Sequence, residues 1–215
     1  MGRIYDATWG RAFSAAYDRG FKGAEDAGLR EMRRQLLAQA RGRVLELGAG
    51  TGLNLEHYPE ETESLTLVEP DPHMTKQLRQ KLTRSGRSAE ISVVEAPGED
   101  LPFADAAFDT VAVTLVLCTV PDQAATLAEI KRVLAPGGQL LFLEHVRAHS
   151  PELAKWQDRL QSPWCFLADG CRCNRDTVSA IGAAGFQLGE VETGSLPKMP
   201  PIIRPLSQGR ATVTG

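Results

Sequence analysis

The stretch Arg43–Gly52, RVLELGAGTG, passes from a short apolar run into glycines at every second position. The apolar run is typical of a buried strand. Gly48, Gly50 and Gly52 carry no side chain, so the backbone can turn tightly and a ligand can lie against it. We expect a helix to begin near Asn54, and the free N–H groups of its first turn would suit an anionic group. The stretch therefore predicts a strand, a ligand-binding turn and a helix.

A carboxylate follows the next predicted strand. Glu69 ends the run Ser64–Glu69 and lies 21 residues after Gly48. An acid at this place can accept hydrogen bonds from both hydroxyls of a ribose. A solvated strand end is the alternative, but the order of strand, glycine turn, helix, strand and acid favours nucleoside binding. The glycine spacing differs from the GxGxxG pattern of dinucleotide-binding loops, which disfavours a nicotinamide oxidoreductase.

Short apolar runs alternate with helical patterns along most of the chain. This alternation predicts an α/β fold, a mostly parallel sheet with helices on both faces. The predicted strands are Arg43–Leu47, Ser64–Glu69, Ala89–Glu95, Phe108–Leu117, Gln139–His145, Phe186–Thr193 and Arg210–Thr214. The predicted helices are Glu25–Ala40, Pro72–Ser85, Gln123–Leu134 and Thr177–Ala184. The length of 215 residues favours a single domain over residues 1–215.

Two segments outside this alternation are predicted to form caps. Residues 1–41 form an N-terminal helical cap, in which aromatic residues recur at every fourth position on one helix face. Residues 147–177 form an inserted cap rich in aromatic residues and cysteines. The aromatic residues concerned are Tyr5, Trp9, Phe13 and Tyr17 in the first cap, and Trp156 and Trp164 in the second. Arg33 and Arg34 are expected to form a solvated helix edge.

Composition excludes some classes of function. The 24 basic and 27 acidic residues give a net charge of −3, without the basic excess that is typical of nucleic-acid binders. No apolar run approaches the ~20 residues that span a bilayer, and the first residues do not resemble a signal peptide. We therefore expect a cytoplasmic protein with reduced cysteines. Residues 196–206 mix apolar residues with prolines and favour a covered loop; a flap in peripheral contact with a membrane is the alternative.

The cysteines do not have the spacing of a metal site. Cys165, Cys171 and Cys173 follow a C-x5-C-x-C pattern and lack the paired C-x2-C knuckles of zinc sites, so no metal is expected. Cys118 lies in an apolar run and is interpreted as a small buried hydrophobic residue. Because it follows the fourth predicted strand, it could also line a pocket.

Four motifs in order resemble those of the class I S-adenosylmethionine-dependent methyltransferases. They are ELGAGTG at 46–52, VEPD at 68–71, GEDLPF at 98–103 and RVLAPGG at 132–138. The resemblance implies S-adenosylmethionine as the cofactor. It also implies a Rossmann-like sheet of seven strands, whose last strand is antiparallel and lies between the fifth and the sixth.

The resemblance also implies which residues hold the cofactor. Gly48, Gly50 and Leu115 would contact its amino-acid part, and Glu69 its ribose. The residues assigned to the cofactor are Glu46, Gly48, Ala49, Gly50, Gly52, Asn54, Glu69, Pro70, Met74, Gly98, Glu99 and Leu115. Many relatives carry an aspartate at the position of Pro97, so the adenine amino group needs another acceptor here, either Glu99 or a backbone carbonyl.

A narrower resemblance concerns the methyl acceptor. TLVLC at 114–118, EHV at 144–146 and DGC at 169–171 resemble the methyltransferase-like subfamily of animals that methylates small alkyl thiols. This implies a small, fairly apolar acceptor, with sulfur as the first choice. The alternatives are a lipid amine, a quinone or a carbon or oxygen atom of a natural product, and a module that binds the cofactor without turnover.

The acceptor site is expected at the carboxyl ends of the strands, where ligands collect in such sheets. His145, at the end of the fifth predicted strand, is the candidate catalytic base; a structural hydrogen bond at a strand end is the alternative. The residues assigned to the acceptor are Tyr5, Trp9, Cys118, Trp156 and Trp164.

Overall fold

The computed structural model describes residues 11–85, 90–196 and 198–213. Seven strands form one sheet. They are β1 (Arg43–Leu47), β2 (Ser64–Val68), β3 (Ile91–Val94), β4 (Phe108–Thr114), β5 (Leu134–His145), β6 (Phe186–Ser195) and β7 (Pro205–Val213). Their order in the sheet is β3-β2-β1-β4-β5-β7-β6. The first five strands pair in parallel, while β7 is antiparallel to both β5 and β6. The predicted fold class and the predicted place of the last strand are confirmed.

Helices flank the sheet. They are α1 (Arg11–Ala24), α2 (Arg30–Leu37), α3 (Pro72–Ser85), α4 (Gln123–Val133), α5 (Pro151–Leu167) and α6 (Thr177–Ala183). A π-helical turn occupies Glu25–Leu29, and 3-10 turns occupy Leu55–His57 and Pro201–Ile203. Two apolar clusters pack on the sheet, one around Leu45 and Phe142 and the other around Leu67 and Leu141. Within the described residues, no helix combines the length and the apolarity that crossing a bilayer would need.

The prediction of a helix that begins near Asn54 is wrong. The chain after the glycine turn forms only the 3-10 turn Leu55–His57, and Tyr58 then becomes extended, with φ −74° and ψ 138°. Pro59 explains this early end, because a proline disfavours helical geometry at the residue before it. The glycine turn therefore does not lead into an α-helix N-terminus.

Other predicted boundaries also shift. The predicted helix Glu25–Ala40 is interrupted at Gly28, whose φ of 132° is outside helical geometry, so that a π-helical turn joins α1 to α2. The last strand begins at Pro205 rather than at Arg210. The apolar residues before it are buried, as expected of a covered loop rather than of an exposed flap. They are Leu196, Ile202 and Ile203.

Arg33 is buried, which corrects the prediction of a solvated helix edge. The residue is 2% exposed, and its guanidinium lies 3.0 Å from the Glu25 carboxylate. The guanidinium also donates hydrogen bonds to the side-chain oxygens of Asn54 and Thr114, both at 2.8 Å. Arg34, one position along the helix, is exposed and pairs with Glu31, as expected. Arg33 thus joins the N-terminal helices to the end of β4 and to the segment after the glycine turn.

We predict that Arg33→Met lowers the free energy of unfolding by roughly 3–5 kcal/mol, because it leaves the buried Glu25 carboxylate without its counter-charge. Denaturant unfolding measures this loss. Arg34→Met is the matched control, since it removes the same charge from the solvent-exposed side of the same helix. Equal unfolding midpoints for the two variants would contradict the prediction.

Candidate active site

A cavity of about 540 Å³ opens at the carboxyl ends of the parallel strands. This volume lies within the range that is typical of small-molecule sites. The cavity is bordered by the glycine turn after β1, the segment 69–71 after β2, residues 97–99, the loop 115–121 after β4, and His145 at the end of β5. Side chains from α1, from the end of α5 and from the loop after it close the remaining walls. The sheet therefore places the predicted ligand-binding motifs around one cavity.

Gly48 and Gly50 both have positive φ, 68° and 54°, which favours glycine. A Cβ at Gly48 would overlap the Val116 side chain. A Cβ at Gly50 would lie 3.7 Å from the Met74 sulfur, so a side chain there would begin to fill the space between the turn and α3. The absent side chains leave one side of the cavity open to a flat ligand.

Glu69 lies beside this opening. One carboxylate oxygen accepts a hydrogen bond from the Gly50 N–H at 2.8 Å, and the other accepts one from the Asp71 N–H at 2.9 Å. Burial raises the pKa of Glu69, and these two backbone hydrogen bonds oppose that effect. Each oxygen keeps a further lone pair. The carboxylate can therefore accept two vicinal hydroxyls, so the residues present fit an adenosyl group.

Eight of the twelve residues assigned to the cofactor line this cavity. They are Gly48, Gly50, Glu69, Pro70, Met74, Gly98, Glu99 and Leu115. Glu99 accepts a hydrogen bond from the Asp122 N–H through one oxygen at 3.1 Å, which leaves its second oxygen for an adenine amino group. Pro97 borders the cavity as well.

The other four assigned residues do not border this cavity, and their contact with the cofactor stays a prediction. Glu46 is 1% exposed and accepts a hydrogen bond from the Asn54 side chain at 2.8 Å. Ala49 packs in the core, and a Cβ at Gly52 would lie 2.7 Å from Leu78. A separate cavity of only about 20 Å³ lies between the glycine turn and the Arg33, Glu46 and Asn54 side chains. The hydrogen bond between Asn54 and Glu46 joins the segment after the glycine turn to β1.

The aromatic residues assigned to the acceptor divide into three groups. Trp164 lines the cavity, whereas Tyr5 and Trp9 lie outside the described residues. The contact of Trp156 with the acceptor stays a prediction. Trp156 does not border the cavity: it is 53% exposed, with the Arg159 guanidinium 5.7 Å from its ring centre. The reason is helical geometry: eight residues separate the two tryptophans of α5, which turns their side chains about 80° apart.

Aromatic residues of α1 also reach the cavity. Tyr17, part of the predicted aromatic stripe, borders it together with Phe21, which the sequence reasoning missed. The two rings pack with their centres 4.8 Å apart. Burial raises the pKa of Tyr17 to about 12, so its hydroxyl stays protonated. Phe21 continues the four-residue spacing of the stripe, which is the signal that could have revealed it.

Cys118, His145 and Cys171 meet on the far wall of the cavity. The sulfur atoms of Cys118 and Cys171 each lie 3.6 Å from His145 Nδ1. All three residues are buried, and His145 Nε2 has no hydrogen-bond partner among the described residues. The hydrogen bond between the two sulfurs lowers the pKa of Cys171 and raises that of Cys118, so the pair shares one proton. We call these three residues the Cys-His-Cys cluster.

The sequence reasoning missed both the cluster and the residue that positions it. The spacing along the chain groups Cys165, Cys171 and Cys173, whereas the cluster combines Cys171 with Cys118. Glu144 is fully buried and accepts hydrogen bonds from the backbone N–H groups of the loop 115–121. The donors are Val116 at 2.8 Å, Leu117 at 2.9 Å and Cys118 at 3.1 Å. The signal in the sequence that could have revealed Glu144 is a charged residue within an otherwise apolar strand.

The strand order, the glycine turn after β1 and the acid after β2 define a Rossmann-like S-adenosylmethionine-dependent methyltransferase. Residues 45–142 match the family model described as "Methyltransferase domain". A solved S-adenosylmethionine-dependent methyltransferase from Thermotoga maritima superposes with a TM-score of 0.64 at 25% identity, covering 94% of this chain and 96% of the other.

Two human relatives cover most of the chain. Thiol S-methyltransferase TMT1B is 35% identical over 187 residues, which is 82% of this chain and 74% of the relative. Thiol S-methyltransferase TMT1A is 35% identical over 170 residues, which is 78% of this chain and 69% of the relative. The chain belongs to the methyltransferase family that contains these two human proteins. It is an S-adenosylmethionine-dependent methyltransferase.

We predict that Glu69→Gln raises the Kd for S-adenosylhomocysteine roughly 10- to 100-fold, because a charged acceptor of hydrogen bonds contributes about 1.5–3 kcal/mol. Isothermal titration calorimetry gives the Kd directly. Glu95→Gln is the control, since Glu95 is an exposed carboxylate just after the neighbouring strand β3. A Kd that Glu69→Gln leaves unchanged would remove Glu69 from the ribose site.

Glu46 makes the stability depend on pH. Burial raises its pKa from 4.5 to about 7, against the opposing hydrogen bonds from Asn54 and Tyr58. The folded chain therefore keeps a proton that the unfolded chain loses. The resulting stabilisation is fully present below pH 4.5 and disappears as the pH rises through 7.

We predict that the free energy of unfolding of wild type falls by roughly 3 kcal/mol relative to that of Glu46→Gln between pH 5 and pH 8. The magnitude follows from the difference between the pKa values of Glu46 in the folded and unfolded chain. Denaturant unfolding of both proteins at each pH measures the difference. Parallel pH profiles would show that Glu46 titrates alike in the folded and unfolded states.

Proposed function

We propose that this enzyme transfers the methyl group of S-adenosylmethionine to the sulfur of a small, fairly apolar thiol. The observation that carries the proposal is the part of the cavity beyond the glycine turn. Its side chains are mainly apolar, and its polar groups include the Cys-His-Cys cluster, Thr119 and Asp169. The apolar residues are Tyr17, Phe21, Trp164, Leu167, Met199 and Ile203. The names of the two human relatives support the same acceptor class.

The chemistry asks little of the chain beyond alignment and the exclusion of water. When bound, S-adenosylmethionine supplies a methyl group already activated on a sulfonium. Correct alignment of the two reactants can contribute up to about 7–11 kcal/mol. The glycine turn and Glu69 would hold the adenosyl part, while Trp164 and Leu167 cover the cavity from the side of α5.

The acceptor must react as a thiolate, because the thiolate is the nucleophilic form. We assign to His145 the task of favouring that form. Its ring lines the cavity, and its Nδ1 atom lies 3.6 Å from each of two sulfur atoms. An oxygen nucleophile of higher pKa would need a stronger base than this wall provides.

We expect turnover of small alkyl thiols in a panel that contains thiols, phenols and amines, assayed with methyl-labelled S-adenosylmethionine. His145→Ala should lower kcat/KM for the thiol on the order of 100-fold near neutral pH. The loss should shrink as the pH approaches the thiol's own pKa, since the free thiol then ionises by itself. His149→Ala, an exposed imidazole four positions away, is the control.

Two results would contradict the proposal. Methylation of phenols or amines but not of thiols would overturn the acceptor class. A His145→Ala enzyme that matches wild type across the whole pH range would remove His145 from the chemistry while leaving the acceptor class intact.

A further inference from the structure

We propose that Cys118, His145 and Cys171 are three ligands of a zinc ion whose fourth position faces the cavity. This inference rests on the proposed function, because the acceptor thiol would occupy the fourth position. It specifies how His145 favours the thiolate, namely as a ligand to the metal.

The distances within the cluster are those of ligands around one ion. Zinc binds sulfur at about 2.3 Å and imidazole nitrogen at about 2.0–2.1 Å, so tetrahedral geometry separates the two kinds of atom by about 3.6 Å. Both sulfur atoms lie 3.6 Å from His145 Nδ1. The three ligand atoms all lie within 4.8 Å of one another.

Hydrogen bonding explains this arrangement less completely. A neutral imidazole nitrogen has either one lone pair or one proton, so it forms one good hydrogen bond at a time. Two sulfur atoms at equal distance from this nitrogen therefore compete for it, and the second depends on the hydrogen bond between the sulfurs. A shared metal ion would bind all three atoms at once, and would explain why Nδ1 points between the two sulfurs.

The donor set suits zinc and an open coordination site. Two thiolates and one imidazole are ligands that zinc prefers, and three protein ligands with one open position are typical of catalytic zinc sites. Two thiolates also neutralise the double positive charge, so the bound ion would add no net charge to a buried wall. All three residues line the cavity, which is therefore the side from which a fourth ligand can enter.

The surrounding backbone holds the three ligands in place. The Glu144 hydrogen bonds fix the loop that carries Cys118. The Arg172 N–H donates to the Cys118 carbonyl at 2.7 Å and so holds the residue next to Cys171 against that loop. The Arg175 guanidinium donates to the Leu117 carbonyl at 2.7 Å. This support is needed to keep ligands from three separate segments within bonding distance of one ion.

The reaction then balances without an oxidant or a reductant. The acceptor thiol forms a sulfur–zinc bond and its proton passes to solvent, because a thiol that coordinates a metal is deprotonated. The sulfur's electron pair forms the new bond to the methyl carbon, and the bond between that carbon and the sulfonium sulfur breaks. The products are a methyl thioether and S-adenosylhomocysteine. The thioether is uncharged, binds zinc weakly and leaves.

The test measures metal binding independently of turnover. Wild type purified from zinc-containing medium should hold about one zinc per chain by elemental analysis. Metal-free protein titrated with Co²⁺ should develop the absorption bands of tetrahedral cobalt with thiolate ligands. Cys118→Ser and Cys171→Ser should lose these bands. Cys165→Ser, a cysteine outside the cluster, should keep them.

The acceptor is then added to the cobalt protein without S-adenosylmethionine. A small alkyl thiol should change the cobalt spectrum, since it becomes the fourth ligand, and an alcohol of the same size should not. Binding of S-adenosylhomocysteine by each variant shows that the variant is folded. The metal content of wild type is an independent test, because it does not require any variant to fold.

The outcomes separate this inference from the proposed function. Folded wild type that binds neither zinc nor cobalt, or that forms a Cys118–Cys171 disulfide instead, would overturn the zinc site. Equal thiol turnover by metal-free and zinc-loaded enzyme would overturn it while the proposed function stands. Cobalt binding by the cluster without thiol methylation would overturn the proposed function and the role of the fourth position.

Discussion

The geometry of the site depends on one buried carboxylate. Glu144 accepts hydrogen bonds from three successive backbone N–H groups, those of residues 116–118. Leu115, just before them, has a φ of 61°, a strained value for leucine, and its own N–H is held by the Leu143 carbonyl at 2.8 Å. Without the carboxylate, each stranded N–H would cost about 1–3 kcal/mol. The loop would then lose the conformation that carries Cys118 towards His145.

A second buried network supports the opposite wall. Arg33 links Glu25, Asn54 and Thr114, and Asn54 in turn links Thr114 to Glu46. These residues lie beneath the glycine turn, so the N-terminal helices and the cofactor wall share one set of hydrogen bonds. The helix that the sequence suggested after the turn is absent, and this network stabilises the segment instead.

The segment 147–177 completes the cavity. Gln157 of α5 is fully buried, and its amide nitrogen donates to the carbonyls of Val146, Cys173 and Ile202. This single side chain ties α5 to the end of β5, to the cysteine segment and to the loop before β7. It thereby brings Trp164 and Cys171 onto the cavity, while Trp156 on another side of the helix stays exposed.

The sequence by itself determined the strands, the glycine turn and Glu69, because each of these depends on residues that are close along the chain. Alternating apolar runs specify strands locally, and a glycine turn between a strand and an acid needs no distant partner to be recognised. Tertiary structure alone decided the burial of Arg33, the exposure of Trp156 and the meeting of Cys118, His145 and Cys171. The physical reason is that the sheet places the ends of β4 and β5 side by side, and the segment 147–177 packs over them. Residues 118 and 171 become neighbours through that packing, and no spacing along the chain encodes it.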